Sequence, residues 1–411
     1  MLKKAVSFSL SIMVLFSSFF ILNVHAAPVD YTAYDDATVM KIMNKTAVTE
    51  LKAKGAVLID FNSGMVLQEK NSHDKLPLAS VTKIMSMLLI MEAIDNGRIA
   101  MNKKVTVSEH AYNTKGTSVW LEIGEVFTVN ELFKAVAIRS ANDATVALAE
   151  AVAGSEEVFV DMMNEKAREL KMNNTKFLDC SGLIDKGHYS SAYDVALMSR
   201  ELLQKYPEIA EYTRIWQAKF RDNVPGKKAI ALDNTNKLVR FYEGTVGLKT
   251  GYTEAAGYCL AASAARNGQQ LVSVVLGAPD SNTRFAESRK LLDYGFANFE
   301  TTLVNSLGER VQQVEVKKGI QSTTNAVYKE DVKLLLKKGE KGKIERIVRI
   351  KSDLTAPVKA GQKIGEVTYA INGNEAGNAE LVASNDVQRA SFLRIFFDMA
   401  QEWFGMGRAS K

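Results

Sequence analysis

The hydrophobic patterning of the chain changes its rhythm once, near residue 300, and that change constrains the fold more than any single residue does. Between residues 55 and 299 strand signals flank a long helical stretch. Ala56-Val57-Leu58-Ile59-Asp60-Phe61, a turn at Asn62-Ser63-Gly64 and Met65-Val66-Leu67 read as a hairpin. Helical periodicity then runs over residues 81–96, 128–138, 143–153, 156–170 and 193–205, with Gly97 ending the first helix and Pro207 the last. Strand signals return at 245–248, 257–264 and 271–277, followed by a closing helix at 282–299. This order predicts a mixed α/β domain, residues 27–299: one mainly antiparallel sheet drawn from both ends of the segment and flanked by helices. From 301 to 383 the signals are short strands, such as 311–316, 332–336, 344–350 and 365–370, parted by Gly and charged turns. They predict a small all-β domain, residues 300–384.

The two ends differ from this body. Met1-Leu2-Lys3-Lys4 precedes an apolar run from Ala5 to Val24 and the small residues of Val24-His25-Ala26-Ala27. A basic start, an apolar run and a small-x-small site read as a signal peptide, residues 1–26, cut after Ala26. The run is long enough for a retained anchor as well, and either reading exports the body. At the other end, residues 385–411 contain an amphipathic helix. At about 100° per residue, Phe392, Ile395, Phe396, Met399 and Trp403 share a side, widened by Leu393 and Phe404. Arg394, Asp398, Gln401 and Glu402 lie opposite. The stretch lacks about 20 unbroken apolar residues, so it is expected to lie on a membrane surface without crossing it.

Composition excludes whole classes. Hydrophobic residues at 46% and charged residues at 24% belong to a folded globular chain, not a disordered one. A net charge of +5, spread along the sequence, does not argue for a nucleic-acid partner. Cys180 and Cys259 sit in apolar surroundings and read as separate buried thiols. His73, His110 and His188 show no metal-ligand spacing, so no metal is expected.

Three short motifs carry the chemistry. Ser80-Val81-Thr82-Lys83 opens the helix at 81–96, and residues i and i+3 on a helix face are neighbours. Serine is a weak nucleophile without a base, and lysine is a weak base until burial or a second cation lowers its pKa. Ser140-Ala141-Asn142 falls between two helices and offers a hydroxyl for proton shuttling and an amide for holding a peptide group. Lys249-Thr250-Gly251 ends the strand at 245–248; Lys249 is the second cation, and Gly251 admits a substrate backbone. Each motif alone is weak: a helix start, a cap and a turn explain them equally well. Together, in this order and behind a signal peptide, they match the set of penicillin-binding proteins and class A β-lactamases.

The surroundings carry the resemblance further. Leu78-Ala79-Ser80-Val81-Thr82-Lys83-Ile84-Met85, Ser140-Ala141-Asn142-Asp143-Ala144 and Val246-Gly247-Leu248-Lys249-Thr250-Gly251 resemble the low-molecular-mass penicillin-binding proteins of the type-5 group, the serine D-alanyl-D-alanine carboxypeptidases, including sporulation-associated Bacillus members. The resemblance implies a β-lactamase/DD-peptidase-like first domain and release of terminal D-alanine from peptidoglycan pentapeptide stems. It makes Ser80 the acylated nucleophile and Lys83 its base, and places Ser140 and Asn142 in the cleft. Lys249 and Thr250 bind the substrate carboxylate, and the backbone N–H groups of Ser80 and Tyr252 form the oxyanion hole. It implies inhibition by β-lactams, no cofactor, and a place at the outer face of the membrane or in the wall. Several relatives carry His where this chain has Tyr252, so an altered rate or pH dependence is expected.

Two rivals remain at this stage. A class A β-lactamase needs a deacylating glutamate, and Glu169-Leu170-Lys171-Met172-Asn173 has its E-x-x-x-N spacing; Glu169 reads as a solvated helix residue. A non-catalytic wall scaffold would use the β domain alone, leaving Ser80, Lys83 and Lys249 without a purpose.

Overall fold

The computed structural model describes residues 50–222, 226–338, 344–371 and 373–396. The signal-peptide reading of residues 1–26 and the tail beyond residue 396, with Met399, Trp403 and Phe404, lie outside the described residues.

The first domain is built on a five-stranded sheet. Its strands are β1 (Gly55–Asp60), β2 (Val66–Lys70), β3 (Thr245–Thr253), β4 (Gly257–Arg266) and β5 (Gln269–Ala278), in spatial order β2-β1-β5-β4-β3. All neighbours are antiparallel. Strands from the two ends of the segment therefore meet in the middle, where β1 pairs with β5 from Gly55↔Leu276 to Asp60↔Leu271.

Successive side chains of a strand point to opposite faces, and both faces here are apolar. Val57, Ile59, Val272, Val274 and Leu276 join the larger core on the helical side. Ala56, Leu58, Leu271 and Val275 join a second core on the other face. This explains the near-continuous apolar runs of β1 and β5: a strand covered on both sides has no wet face to mark with polar residues.

The helical side is organised around α1 (Lys83–Asp95), whose residues from Lys83 to Met91 are all buried. Around it stand α2 (Val129–Lys134), α3 (Asn142–Ala153), α4 (Glu156–Glu169) and α5 (Ala192–Lys205). Their starts follow from capping residues. Thr128 and Glu131 form a capping box at α2, and the Ser155 and Ser191 hydroxyls accept the N–H groups of Val158 and Asp194 at α4 and α5. The opposite face is covered by α6 (Ser281–Asn298), capped by Asp280, which sets Phe285, Leu291 and Leu292 on the sheet.

Between Phe299 and Ala383 the described residues are mainly β-structure. β6 (Phe299–Asn305) pairs with β9 (Val332–Lys337), while β7 (Arg310–Glu315), β8 (Thr323–Tyr328), β10 (Ile344–Ile350), β11 (Lys363–Ile371) and β12 (Asn374–Ala383) form a second sheet in the order β7-β8-β12-β11-β10. Its core includes Tyr328, Leu334, Val367, Tyr369 and Leu381.

Two local expectations need correction. Lys249-Thr250-Gly251 does not end a strand. The ladder continues to Thr253, with Lys249↔Ala261, Thr250↔Leu260 and Gly251↔Cys259 paired to β4, so the motif is held inside the sheet. The Ser80 segment does not begin an α-helix either: Ala79–Thr82 is a 3₁₀ turn and the α-helix starts at Lys83. Both cysteines are free and buried, as read from their surroundings.

The α6 face is expected to carry stability and the rim of β6 is not. Leu291→Ala, fully buried, is expected to cost about 2–5 kcal/mol in denaturant unfolding. Leu303→Ala, which is 51% exposed, is expected to stay within about 0.5 kcal/mol of the parent.

Candidate active site

The 3₁₀ turn over Ala79–Thr82 is what aligns the first motif. Side chains at i and i+3 eclipse in a 3₁₀ turn, more directly than in an α-helix. Lys83 Nζ thus lies 2.9 Å from Ser80 Oγ. Ala79 takes a positive φ of 48°, which bends the chain into this turn. Lys83 is wholly buried.

Two more oxygens meet the amine. Lys83 Nζ donates to Asn142 Oδ1 at 2.7 Å and to the Ser181 carbonyl at 2.7 Å. The Asn142 amide is fixed by its other contact, since Nδ2 donates to the Lys115 carbonyl at 2.7 Å and so turns Oδ1 toward the lysine. Asn142 N–H donates to the Thr117 carbonyl. Next to it, the buried Asp143 carboxylate accepts from Ser118 Oγ and from the N–H groups of Val119 and Leu121. The start of α3 is thereby bolted to the 115–121 loop. Gly116 is required there: its φ is +90°, and a Cβ would fall 2.5 Å from Asn142 Nδ2.

Burial lowers the Lys83 pKa from its ordinary 10.5 to about 8, while Cys180, Asp179 and Asp143 pull the other way. Of the two expected causes, burial and a second cation, removal from water is the leading one, and three oxygens at hydrogen-bond distance keep the ammonium form from being driven out altogether.

Ser140 sits where a π-helical turn, Ala135–Arg139, hands over to α3, in the left-handed conformation at φ 69°. It is buried, and its hydroxyl has no hydrogen-bond partner.

The third motif forms the opposite wall. Lys249 is buried and donates to the Thr250 carbonyl at 3.1 Å, while Thr250 Oγ1 donates to Thr235 Oγ1 at 2.7 Å. Gly251 faces the nucleophile turn: a Cβ there would lie 2.7 Å from the Leu78 carbonyl oxygen and 3.0 Å from Ser80 N. The Tyr252 ring points outward, 40% exposed, stacked on Tyr258 with centroids 4.4 Å apart. Lys249 is pushed well below its ordinary pKa, first by burial, then by the positive charges of Lys83 and Arg284. The charges acting on it are both cations, so an anionic group bound here relieves their repulsion.

Two contributions escaped sequence reading. Arg284 of α6 is almost completely buried and donates to the Gly251 carbonyl at 3.1 Å from behind the sheet. A single arginine in an amphipathic helix gives no local signal of this. The Ser181 carbonyl is the other, since backbone groups leave no mark on residue type; Gly182 after Asp179-Cys180-Ser181 was the one available sign of a tight turn.

Glu169 is at the wrong place to serve as a deacylating base. It is 55% exposed and pairs with Lys166, which also pairs with Glu92 near the C-terminal end of α1. Glu92 is nine residues beyond Lys83, about 13 Å along the helix axis.

Known families match both parts of the chain. Residues 41–280 match the Peptidase S11 family, D-alanyl-D-alanine carboxypeptidase, and residues 299–389 match the C-terminal domain of penicillin-binding protein 5. The chain is 42% identical to the D-alanyl-D-alanine carboxypeptidase DacF of Bacillus subtilis over 360 residues, covering 87% of this chain and 92% of that protein. It is 35% identical to DacC of Escherichia coli, over 86% of this chain and 90% of that one. Among solved structures, penicillin-binding protein 5 of Haemophilus influenzae superposes with a TM-score of 0.71 at 32% identity, covering 84% of this chain and all of that one. Matched by this family over more than half of its length and by its curated members over most of it, the chain belongs to the D-alanyl-D-alanine carboxypeptidase family, Peptidase S11.

Proposed function

We propose that this protein removes the terminal D-alanine from peptidoglycan pentapeptide stems through an acyl-enzyme on Ser80, without a cofactor. The observation that carries the reading is the Lys83 amine, buried and 2.9 Å from Ser80 Oγ. A neutral amine has two hydrogens and one lone pair. Donating to Asn142 Oδ1 and the Ser181 carbonyl uses both hydrogens and turns the lone pair to the serine hydroxyl. With a pKa of about 8, about a tenth of Lys83 is neutral at pH 7, against fewer than about one in a thousand for an ordinary lysine.

Ser80 Oγ then attacks the carbonyl carbon of the penultimate D-alanine as Lys83 takes its proton. The backbone N–H groups of Ser80 and Tyr252 hold the oxyanion. The proton passes to the leaving amine by way of the Ser140 hydroxyl, the C–N bond breaks and D-alanine departs. Water attacks the ester, releasing the shortened stem and restoring Ser80. Lys249 and Thr250, backed by Arg284, hold the terminal carboxylate, and Asn142 lies where the stem's peptide group passes. β-Lactams present the same carbonyl and carboxylate and acylate Ser80. The site of Glu169 speaks against the β-lactamase reading, and the assembled Ser80, Lys83 and Asn142 speak against a scaffold.

The enzyme acts outside the cell, exported by residues 1–26 and held at the membrane's outer face by its C-terminal helix. Residues 392–396 are helical, and Phe392 and Leu393 are 80% and 68% exposed. Aromatic and aliphatic side chains presented this way suit the headgroup boundary of a bilayer.

Three outcomes follow. D-Alanine is released from a pentapeptide stem, and prior treatment with penicillin stops it; rapid catalytic hydrolysis of the penicillin instead would reverse the assignment. Gly251→Ala pushes β3 away from Leu78 and Ser80 and is expected to lower kcat/KM by about 10²-fold; an unchanged value would show that the close approach is not needed. The full chain sediments with vesicles, and Phe392→Asp with Leu393→Asp reduces this binding at least tenfold; equal binding by the variant would place the anchor elsewhere.

A further inference from the structure

The Ser181 carbonyl contributes a third of the Lys83 coordination, yet it belongs to a loop and not to a helix or strand. Its position therefore depends on what holds residues 179–188. Asp179 closes the loop on itself. Its carboxylate accepts the N–H groups of Ser181 at 2.7 Å, Leu183 at 3.2 Å and Ile184 at 2.7 Å, together with that of Gly182 and the Ser181 hydroxyl. Burial pushes the Asp179 pKa up, but these N–H groups pull against it and favour the ionised carboxylate, whose pKa stays below its usual range.

His188 fastens the closed loop to the nucleophile turn. The Leu178 N–H donates to His188 Nδ1 at 3.1 Å, so Nδ1 carries no proton. The proton is then on Nε2, which donates to Thr82 Oγ1 at 2.8 Å. Thr82 lies between Ser80 and Lys83 in sequence. His188 Nδ1 also lies 3.8 Å from Asp179 Oδ2. The histidine is buried, which lowers its pKa and favours this neutral form. The two pieces touch closely as well: Gly182 has φ +79°, and a Cβ there would run into the Ala79 carbonyl oxygen and lie 2.6 Å from Thr82 Oγ1.

We propose that Asp179 and His188 are positioning residues for the catalytic base: they lock the 179–188 loop to the nucleophile turn so that the Ser181 carbonyl keeps its hydrogen bond with Lys83. This rests on the acyl-enzyme reading above and extends it to groups that touch neither substrate nor Ser80. Without the Ser181 carbonyl, the neutral amine has one fixed acceptor instead of two. It can rotate about its Cε–Nζ bond, and its lone pair no longer stays on the serine. Binding of a β-lactam, which depends on the opposite wall, is left intact.

The side of the titration affected is defined. Asp179, Asp143 and Cys180 raise the Lys83 pKa, and Lys249 is the neighbouring cation coupled to it. Asp179→Asn removes one of the anions and loosens a carbonyl that favours the ammonium form. Both changes lower the Lys83 pKa, so the acid limb of the acylation rate moves to lower pH.

The test is penicillin acylation of the full chain, measured across pH for the parent, Asp179→Asn, His188→Gln and His188→Asn. Glutamine keeps a donor at the Nε2 position for Thr82, whereas asparagine keeps only an acceptor for Leu178. Asp179→Asn is expected to lower the maximal acylation rate constant by about 10–100-fold, with penicillin affinity within threefold of the parent and the acid limb shifted down. His188→Asn is expected to lose a similar factor and His188→Gln to recover most of it. Should Asp179→Asn not fold, the histidine pair decides alone. Folded variants that acylate at the parental rate with an unmoved limb, or an asparagine variant as active as the glutamine one, would overturn the proposal. A parent chain that takes no acyl group would instead overturn the acyl-enzyme reading on which it rests.

Discussion

Everything at this site turns on one buried nitrogen. Lys83 is excluded from water, and its charge is opposed by that exclusion and supported by three oxygens: Ser80 Oγ, Asn142 Oδ1 and the Ser181 carbonyl. Burial alone would leave a lysine neutral but undirected. Three acceptors in water would leave it charged. The combination gives an amine whose pKa falls to about 8 and whose lone pair has one direction in which to point. The surrounding elements can be read as means to that end: the 3₁₀ turn sets the Ser80 contact, α3 brings Asn142, and the Asp179 loop brings the carbonyl.

The sheet supplies the other half of the geometry. Because β1 and β5 are apolar on both faces, they are fixed between α6 and the helical layer. β3 lies at the edge of this rigid sheet, and its motif is locked by pairing with β4. Gly251 permits contact with the turn carrying Ser80, and Arg284 braces the Gly251 carbonyl from the far side. The site thus lies between a sheet edge and the helical layer, which share one core. The strand carrying Lys249 and Thr250 is held by pairing with β4 and by Arg284, and Lys83 is held by contacts from α3 and the Asp179 loop.

Much of this was legible in the sequence. The hairpin, the long buried helix and the closing helix followed from apolar periodicity and from breaks at Gly97 and Pro207. Of the residues the three motifs single out, Lys83 meets Ser80 and Asn142, and Gly251 packs on the turn carrying Ser80. What residue type does not encode was missed for physical reasons. A 3₁₀ turn and an α-helical start look alike at Ser80-Val81-Thr82-Lys83, because both bring i and i+3 together. The strand was cut short at Leu248 because Lys, Thr and Gly read as a turn, whereas cross-strand pairing to Ala261, Leu260 and Cys259 carries it on. β8 gives a weak signal because its first half is the polar Thr323-Thr324-Asn325, and β12 because Asn and Gly interrupt its apolar residues. The Ser181 carbonyl and the Asp179–His188 clamp were invisible because their action comes from main-chain direction and long-range packing.

The central claim is that Lys83 titrates far below an ordinary lysine in the resting enzyme. It is tested directly by following the Lys83 side chain by NMR across pH, with Lys83→Arg used to assign the signal. A midpoint near the value of about 8 that burial imposes is expected. A midpoint at the ordinary lysine value of 10.5 would contradict it and leave Ser80 without its base.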